Sequence, residues 1–304
     1  FLDYLKNFKF ECDVWAIPEG SVVFHDEPLM IVRGSYIQAQ LLETMLLLVI
    51  NHQSMIATKA NRMVRASDGR AIMEFGSRRA QGADAANLGA KAAYIAGAAG
   101  TANTLADYMY GTPALGTMAH SWVQSFDTEL EAFETYAKTY PHATTLLIDT
   151  YDTLKSGVPN AIKCFDKVLK PLGIRPVGVR LDSGDMAYLS KETRKMLDAA
   201  GYEDVKIVSS NSLDEFKIRD LLLQGAKIDS FGVGENLITS RSNPVFGGVY
   251  KLVAIDEKGK HIPKIKISEN IEKITTPGFK QVYRIYDSET NKAKADLITL
   301  HDEV

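Results

Sequence analysis

The chain has 304 residues, 45% of them hydrophobic and 24% charged, with a formal net charge of −3. That length accommodates a large core or two domains, and the balance is that of an ordinary globular protein, neither disordered nor fibrous. No global basic field invites nucleic acid, and the longest apolar run, "LLETMLLLVI", carries Glu43 and is too short to span a bilayer.

Taken in chain order, the sequence falls into three regions. The first, to residue 64, opens with short strand-like pieces, "VWAIPEGSVVF" and "EPLMIVRGSY", punctuated by Gly20, Pro28 and Gly34. The stretch "YIQAQLLETMLLLVINHQSMIATKANRMV" then predicts one long helix or two, with a wide apolar face. The second region, 65–245, repeats a unit in which a short apolar run ends in polar or glycine residues and a helix follows. "TTLLIDTYD", "PVGVRLDSGD", "VKIVSSN" and "IDSFGVGENL" are such runs. Ser212 with Glu215, and Thr128 with Glu131, fit capping boxes, and Gly201 and Gly225 stand where a helix-ending glycine is expected. Strand and helix alternating in this way predict an α/β fold with a parallel sheet and right-handed crossovers. The spacing leaves a closed barrel and an open sheet equally available. The third region, 246–304, loses the helices; "GVYKLVAID" and "KQVYRIYDS" predict strands, with "EKGK" as a turn.

In parallel α/β folds, sites gather at the carboxyl ends of the strands. Those positions hold Arg78 and Arg79, Thr117 and His120, Asp149 and Asp152, Arg180 with Asp182 and Asp185, Asn211, and the Gly232–Gly234 pair. Each has a plain structural alternative. "VRLDSGD" and "DTYDT" supply helix N-caps as readily as ligands for a sugar, a phosphate or magnesium. "FGVGENL" is a tight turn or, late in a barrel, a phosphate loop of exposed amides. In "EFGSRRAQG" one of two adjacent arginines is suited to a carboxylate, bound through its planar fork. His120 alone reads as a structural histidine, but the small residues Gly116, Thr117, Ala119 and Ser121 around it, with carboxylates on the same face, favour a nucleophile or proton carrier. The remaining five histidines have no comparable setting.

Together, "PEGSVVFHDEPL", "LLET", "EFGSRRAQG", "GTMAHSW", "DTYDT", "VRLDSGD" and "GVYKL" resemble the nicotinate phosphoribosyltransferase family, in the family's order and over nearly the whole chain. The resemblance implies an irregular parallel, TIM-like α/β barrel (65–245) and a sandwich-like α+β domain built from both chain ends (1–64 and 246–304). It implies transfer of phosphoribosyl from phosphoribosyl diphosphate to nicotinate, driven by ATP, as the entry step of NAD salvage. In that scheme His120 becomes phosphohistidine, Arg180 holds phosphoribosyl diphosphate, and Arg78 or Arg79 meets the nicotinate carboxylate. Asp149 and Asp182 take ribose or Mg2+, and Gly116, Thr117, Ser121, Asn211, Gly232 and Gly234 complete the substrate contacts. It further implies a homodimer with the active site near the interface.

Three alternatives remain. The sister nicotinamide enzyme would need an amide partner in place of the tandem arginines. A non-catalytic relative would have no use for an intact His120, Arg180 and Asp182. An unrelated barrel hydrolase would pair Asp149 with Asp182 and leave the arginines unexplained. Neither a nucleic acid nor a membrane is an expected partner. Two cysteines, Cys12 and Cys164, form neither a disulfide framework nor a zinc-ligand spacing, and fit a reducing, cytoplasmic setting. The opening at Phe1, without methionine or a signal-peptide pattern, and the end at "LHDEV" lead to the expectation of a fragment or a processed chain. Family members begin with a segment whose tyrosine stacks on the nicotinate ring, and none precedes Phe1 in this sequence.

Overall fold

The computed structural model describes residues 1–269 and 274–303. The chain divides into two compact units, Phe1–Asn51 with Gly247–Val304, and His52–Phe246.

The first unit begins with α1 (Leu2–Lys6), β1 (Asp13–Ala16) and β2 (Met30–Arg33), the two strands forming an antiparallel ribbon. α2 (Tyr36–Leu41) starts where the Ser35 hydroxyl accepts from the Gln38 amide. The buried Gln38 side chain donates to the Lys9 carbonyl at 3.0 Å and accepts from the Glu11 amide at 2.9 Å, pinning the segment before β1. The long helical run breaks after Leu41, and α3 (Glu43–Ala66) follows. The division between units falls inside α3, at Asn51/His52, and not at the expected 64/65. The reason is packing: the second half of α3 buries Met55, Ile56, Ala60 and Met63. Ile56, Ala60 and Met63 lie in one apolar cluster with Ile72, Ile218, Phe231 and Val233, so this half belongs to the sheet-bearing unit. At the other end the division lies at Phe246/Gly247, one residue from the expected place.

The second unit contains β3 (Ala71–Glu74), α4 (Ala83–Ile95), β4 (Gly100–Thr101), α5 (Thr104–Tyr110), α6 (His120–Gln124), α7 (Glu129–Thr139) and β5 (Thr145–Leu147). After them come α8 (Val158–Cys164), β6 (Gly178–Leu181), α9 (Met186–Ala199), β7 (Lys206–Ser210), α10 (Glu215–Leu223), β8 (Ser230–Val233) and α11 (Glu235–Ile238). All six strands are parallel, in the order β4-β3-β8-β7-β6-β5. This is sequence order taken around a ring: the first strand of the unit pairs with the last, as in a barrel, and the ring is interrupted between β4 and β5. The stretch that opens "GTPALGTMAHSW" lies in that interruption. Ala114 bridges Thr101 in parallel, the Leu115 amide donates to the Thr101 carbonyl at 2.8 Å, and Thr117 Oγ1 donates to the Thr145 carbonyl at 3.1 Å. An irregular extended stave thus touches both flanking strands, and His120 stands at its end.

Strands covered on both faces are apolar almost without alternation. Leu146, Leu147, Ile148, Val179, Leu181 and Ile207 are all fully buried, in one cluster with Phe133 and Phe165. Thr128 caps α7 through the Glu131 amide as expected. Gly201 and Gly225 follow α9 and α10 with φ of +80° and +75°. The Ser212–Glu215 capping box does not form. Asp214 caps α10 instead, accepting from the Phe216 and Lys217 amides, because Asn211 and Ser212 turn the chain through φ of +94° and +51° first. Asp152 and Asp185 are also N-caps.

The chain end completes the first unit with two more antiparallel ribbons, β9 (Ala254–Glu257) with β10 (Lys260–Pro263), and β11 (Lys280–Tyr286) with β12 (Ala293–Leu300). "EKGK" forms the first of these turns, and only the end of "GVYKLVAID" is strand. Arg284 on β11 holds Asp296 at 2.8 Å and the buried Glu27 at 3.1 Å, fastening the β1–β2 loop to the ribbon. Among the described residues, no helix is long and apolar enough to cross a membrane.

Candidate active site

Parallel strands end together, so the residues just beyond β3 and β5 to β8 share one edge of the sheet. Asp149, two residues past β5, is its most thoroughly engaged group. Its Oδ1 lies 3.2 Å from His120 Nε2, and its Oδ2 accepts from the Asp182 amide at 2.8 Å and the Ser183 hydroxyl at 2.6 Å. The carboxylate is 1% exposed while the His120 side chain is 39% exposed. A carboxylate only accepts, so His120 donates through Nε2, and the neutral form of the ring has its lone pair on Nδ1.

Arg180, on β6, is similarly held. Its Nε donates to Ser210 Oγ at 2.9 Å, one Nη to Asp182 Oδ1 at 3.2 Å, and the other reaches the Met118 carbonyl at 3.4 Å. Ser210 Oγ also donates to Asp182 Oδ1. The guanidinium has five N–H groups, so part of its fork remains for a ligand. Its Cζ lies over the Phe75 ring, 5.7 Å from the ring centre.

Gly232 makes room for that ring: a Cβ there would stand 2.6 Å from Phe75 and 3.3 Å from Ser210 Cβ. Gly234 caps the short α11. The Ser77–Arg79 turn leaves Arg78 and Arg79 exposed. Arg79 Nε lies 3.8 Å from Glu235, and Arg78 has no ion-pair partner among the described residues. Gly116, Ser121 and Asn211 are exposed and stand outside the hydrogen-bonded network. Asn211 and Lys217 line an open cavity of about 510 Å³ that Gly184, from the loop after β6, also borders.

The structure therefore links His120, Asp149, Asp182 and Arg180 directly, with Thr117 on the same stave. Both Asp149 carboxylate oxygens accept from protein donors, one of them the Asp182 backbone amide, and the carboxylate is shielded from solvent. Asp182, 28% exposed, keeps the more open carboxylate. No group of three His, Cys, Asp or Glu side chains among the described residues is arranged to hold a metal. These residues fit a Mg2+ carried chiefly by a diphosphate with Asp182 as one oxygen ligand, the usual habit of that ion; they do not fit a magnesium site built by the protein alone.

Sequence reasoning missed Ser183, Ser210, Phe75 and Glu74. Ser210 was one residue from the chosen Asn211, and the pleat decides between them: Ser210 points at Arg180 and Asn211 turns away. Glu74 had a visible signal, a lone carboxylate in the apolar run "AIMEF".

A parallel α/β sheet in ring order thus carries a carboxylate-held histidine, an arginine with N–H groups to spare and a glycine turn on its carboxyl edge, where barrels of this kind gather their sites. Residues 1–51 match the nicotinate phosphoribosyltransferase N-terminal domain and residues 70–294 the nicotinate phosphoribosyltransferase family. The chain belongs to that family. It is 49% identical over 291 residues to nicotinate phosphoribosyltransferase of Bacillus subtilis, covering 95% of this chain and 58% of the relative. It is 40% identical over 336 residues to that of Dictyostelium discoideum, covering 95% and 56%. The crystal structure of human nicotinic acid phosphoribosyltransferase superposes with a TM-score of 0.84 at 31% identity, over 100% of this chain and 67% of that one. Nicotinate-nucleotide pyrophosphorylase from Pyrococcus furiosus follows at 0.77 and 28%, over 96% and 69%. The chain thus spans less than two thirds of the length of the curated relatives it matches.

Proposed function

We propose that this protein is a nicotinate phosphoribosyltransferase, joining nicotinate to phosphoribosyl diphosphate with release of diphosphate and formation of nicotinate mononucleotide, coupled to ATP. The observation that carries this reading is the His120–Asp149 pair beside Arg180. Asp149 fixes the imidazole so that Nδ1 carries the lone pair. Nδ1 attacks the γ-phosphorus of ATP, the new P–N bond replaces the P–O bond to ADP, and ADP leaves with the bonding pair. The resulting phosphohistidine adds negative charge and acceptor oxygens close to the free part of the Arg180 fork. Water later cleaves the P–N bond and returns His120.

At the ribose carbon the nicotinate nitrogen replaces diphosphate through an oxocarbenium-like state. No protein nucleophile is required, and positioning and charge stabilisation supply the rate. Arg180 binds the phosphoribosyl diphosphate and Asp182 orients the arginine; Asp182 would also hold a Mg2+ brought by the diphosphate, which would supply charge neutralisation. Gly232 and Gly234 let the chain approach the phosphate. One of Arg78 and Arg79 takes the nicotinate carboxylate, which the open, exposed Arg78 supports. Thr117, Gly116, Ser121 and Asn211 line the approach. The exposed Leu105, Tyr108 and Met109 of α5 support a homodimer that covers this face, and the free thiols of Cys12 and Cys164 support a cytoplasmic setting.

Product formation from phosphoribosyl diphosphate and magnesium, with nicotinate or nicotinamide and with or without ATP, tests the reading. Nicotinate turnover that rises with ATP is the expected result. Turnover of nicotinamide alone would move the assignment to the sister enzyme, and turnover of neither would reject catalysis.

A further inference from the structure

Glu74 ends β3 and is fully buried, yet the mechanism above makes no use of it. One of its oxygens accepts from the Gly76 amide, and the other accepts from Thr101 Oγ1 at 2.6 Å. Thr101 Oγ1 itself accepts from the Asn103 amide at 3.0 Å. Its single proton therefore points at Glu74, and both carboxyl oxygens face donors. Burial pushes the Glu74 carboxyl above the ordinary glutamate value, and the two donors pull it back.

What these donors belong to gives the carboxyl its meaning. Gly76 opens the turn that carries Arg78 and Arg79. It passes so close to α11 that a Cβ would stand 2.6 Å from Ile238 Cβ and 2.8 Å from the Gly234 carbonyl. Thr101 is the residue that the "PAL" stave pairs with, and that stave runs on to Thr117 and His120. Backbone bonds add to the junction: the Phe75 amide donates to Val233 at 2.7 Å and the Ala102 amide to Glu74 at 2.9 Å. The carboxyl is the side chain that touches the arginine turn and the stave's anchor at once.

We propose that Glu74 is a positioning residue for the nicotinate end of the site: it clamps the Gly76 amide and the Thr101 hydroxyl, and so holds the Arg78–Arg79 turn in register with the stave that carries Thr117 and His120. The clamp is independent of the activity; its service to nicotinate rests on the function proposed above.

The test is Glu74→Gln in the full chain, with hydrogen exchange and steady-state kinetics read together. Glutamine keeps the shape but presents N–H donors to one of the two facing donors. The expected result is faster amide exchange across Phe75–Ala80 and Leu115–His120, with β6 and β7 unchanged. In the same variant KM for nicotinate rises roughly tenfold or more, while KM for phosphoribosyl diphosphate and kcat stay within about threefold. Thr101→Val, which removes one donor and leaves the Gly76 contact, gives the same pattern at smaller size and carries the test if Glu74→Gln does not fold. Unchanged exchange at both segments overturns the clamp whatever the activity. Faster exchange with all kinetic constants and Tm falling together overturns the positioning role in favour of a purely structural one. A wild-type chain that does not turn over nicotinate rejects the functional reading and the nicotinate role with it, while exchange still decides the clamp.

Discussion

The strand ends of β5, β6 and β7 and those of β3 and β8 lie on one edge of the same sheet but are finished differently. In the first group every reactive side chain already has a partner: His120 on Asp149, Asp149 on Asp182 and Ser183, Arg180 on Asp182 and Ser210. In the second, the arginines are exposed and the order lies beneath them, in the buried Glu74 and in Gly232 and Gly76, where backbone and ring pack too closely for a side chain. On the proposed function, the groups that would handle phosphoryl charge are set before any ligand arrives, which lowers the reorganisation needed during reaction. Those that would meet a small carboxylate are left open, and only their backbone is fixed.

The sharpest way to break this contrast is on the ordered side. Asp149→Asn keeps the shape but presents an amide where His120 needs an acceptor, so the imidazole loses its fixed tautomer. ATP-stimulated turnover should fall by roughly 10²–10⁴-fold, measured as product formed with and without ATP. Next is the place where the two sides touch. Gly232→Ala drives a methyl into the Phe75 ring that faces Arg180; overpacking of this kind costs about 1–3 kcal/mol, visible in denaturant unfolding.

On the open side the effects are confined to binding. Arg78→Ala and Arg79→Ala should each change stability by no more than about 0.5 kcal/mol, because both side chains are exposed and the Arg79–Glu235 contact is long. One of the two should raise KM for nicotinate and the other should not, and that difference names the pocket-facing residue.

The smallest effect is one of pH. Burial makes the folded state hold the Glu74 proton more tightly than the unfolded chain does. Its contribution to stability is therefore complete below the unfolded glutamate pKa and is lost as pH rises through the elevated folded value. The always-neutral Glu74→Gln lacks that decline, so the Tm gap between wild type and variant should narrow as pH rises above the ordinary glutamate value.

The same division separates what could be read in the sequence from what could not. Alternating apolar runs and helices exposed the parallel sheet because strands buried on both faces must be apolar, as Leu146 to Ile148 are. His120, Arg180 and Asp182 were legible because polar side chains at the ends of such runs are out of place unless used. Partnerships were not. Asp149 read equally well as a metal ligand or a cap, and only the fold shows both its oxygens spent on residues 120, 182 and 183. The stave at 113–117 escaped because "TPALGT" has neither strand periodicity nor helix signals; neighbours, not propensity, hold it extended. The unit boundary was displaced because α3 is continuous in sequence while its burial changes partway along.

The most direct measurement is of His120→Ala, assayed for nicotinate mononucleotide formation in the presence and absence of ATP. The ATP-dependent gain should disappear while slow ATP-independent transfer persists, because the ribose chemistry needs position and charge but no protein nucleophile. Equal loss with and without ATP would contradict this, placing His120 in the transfer step itself.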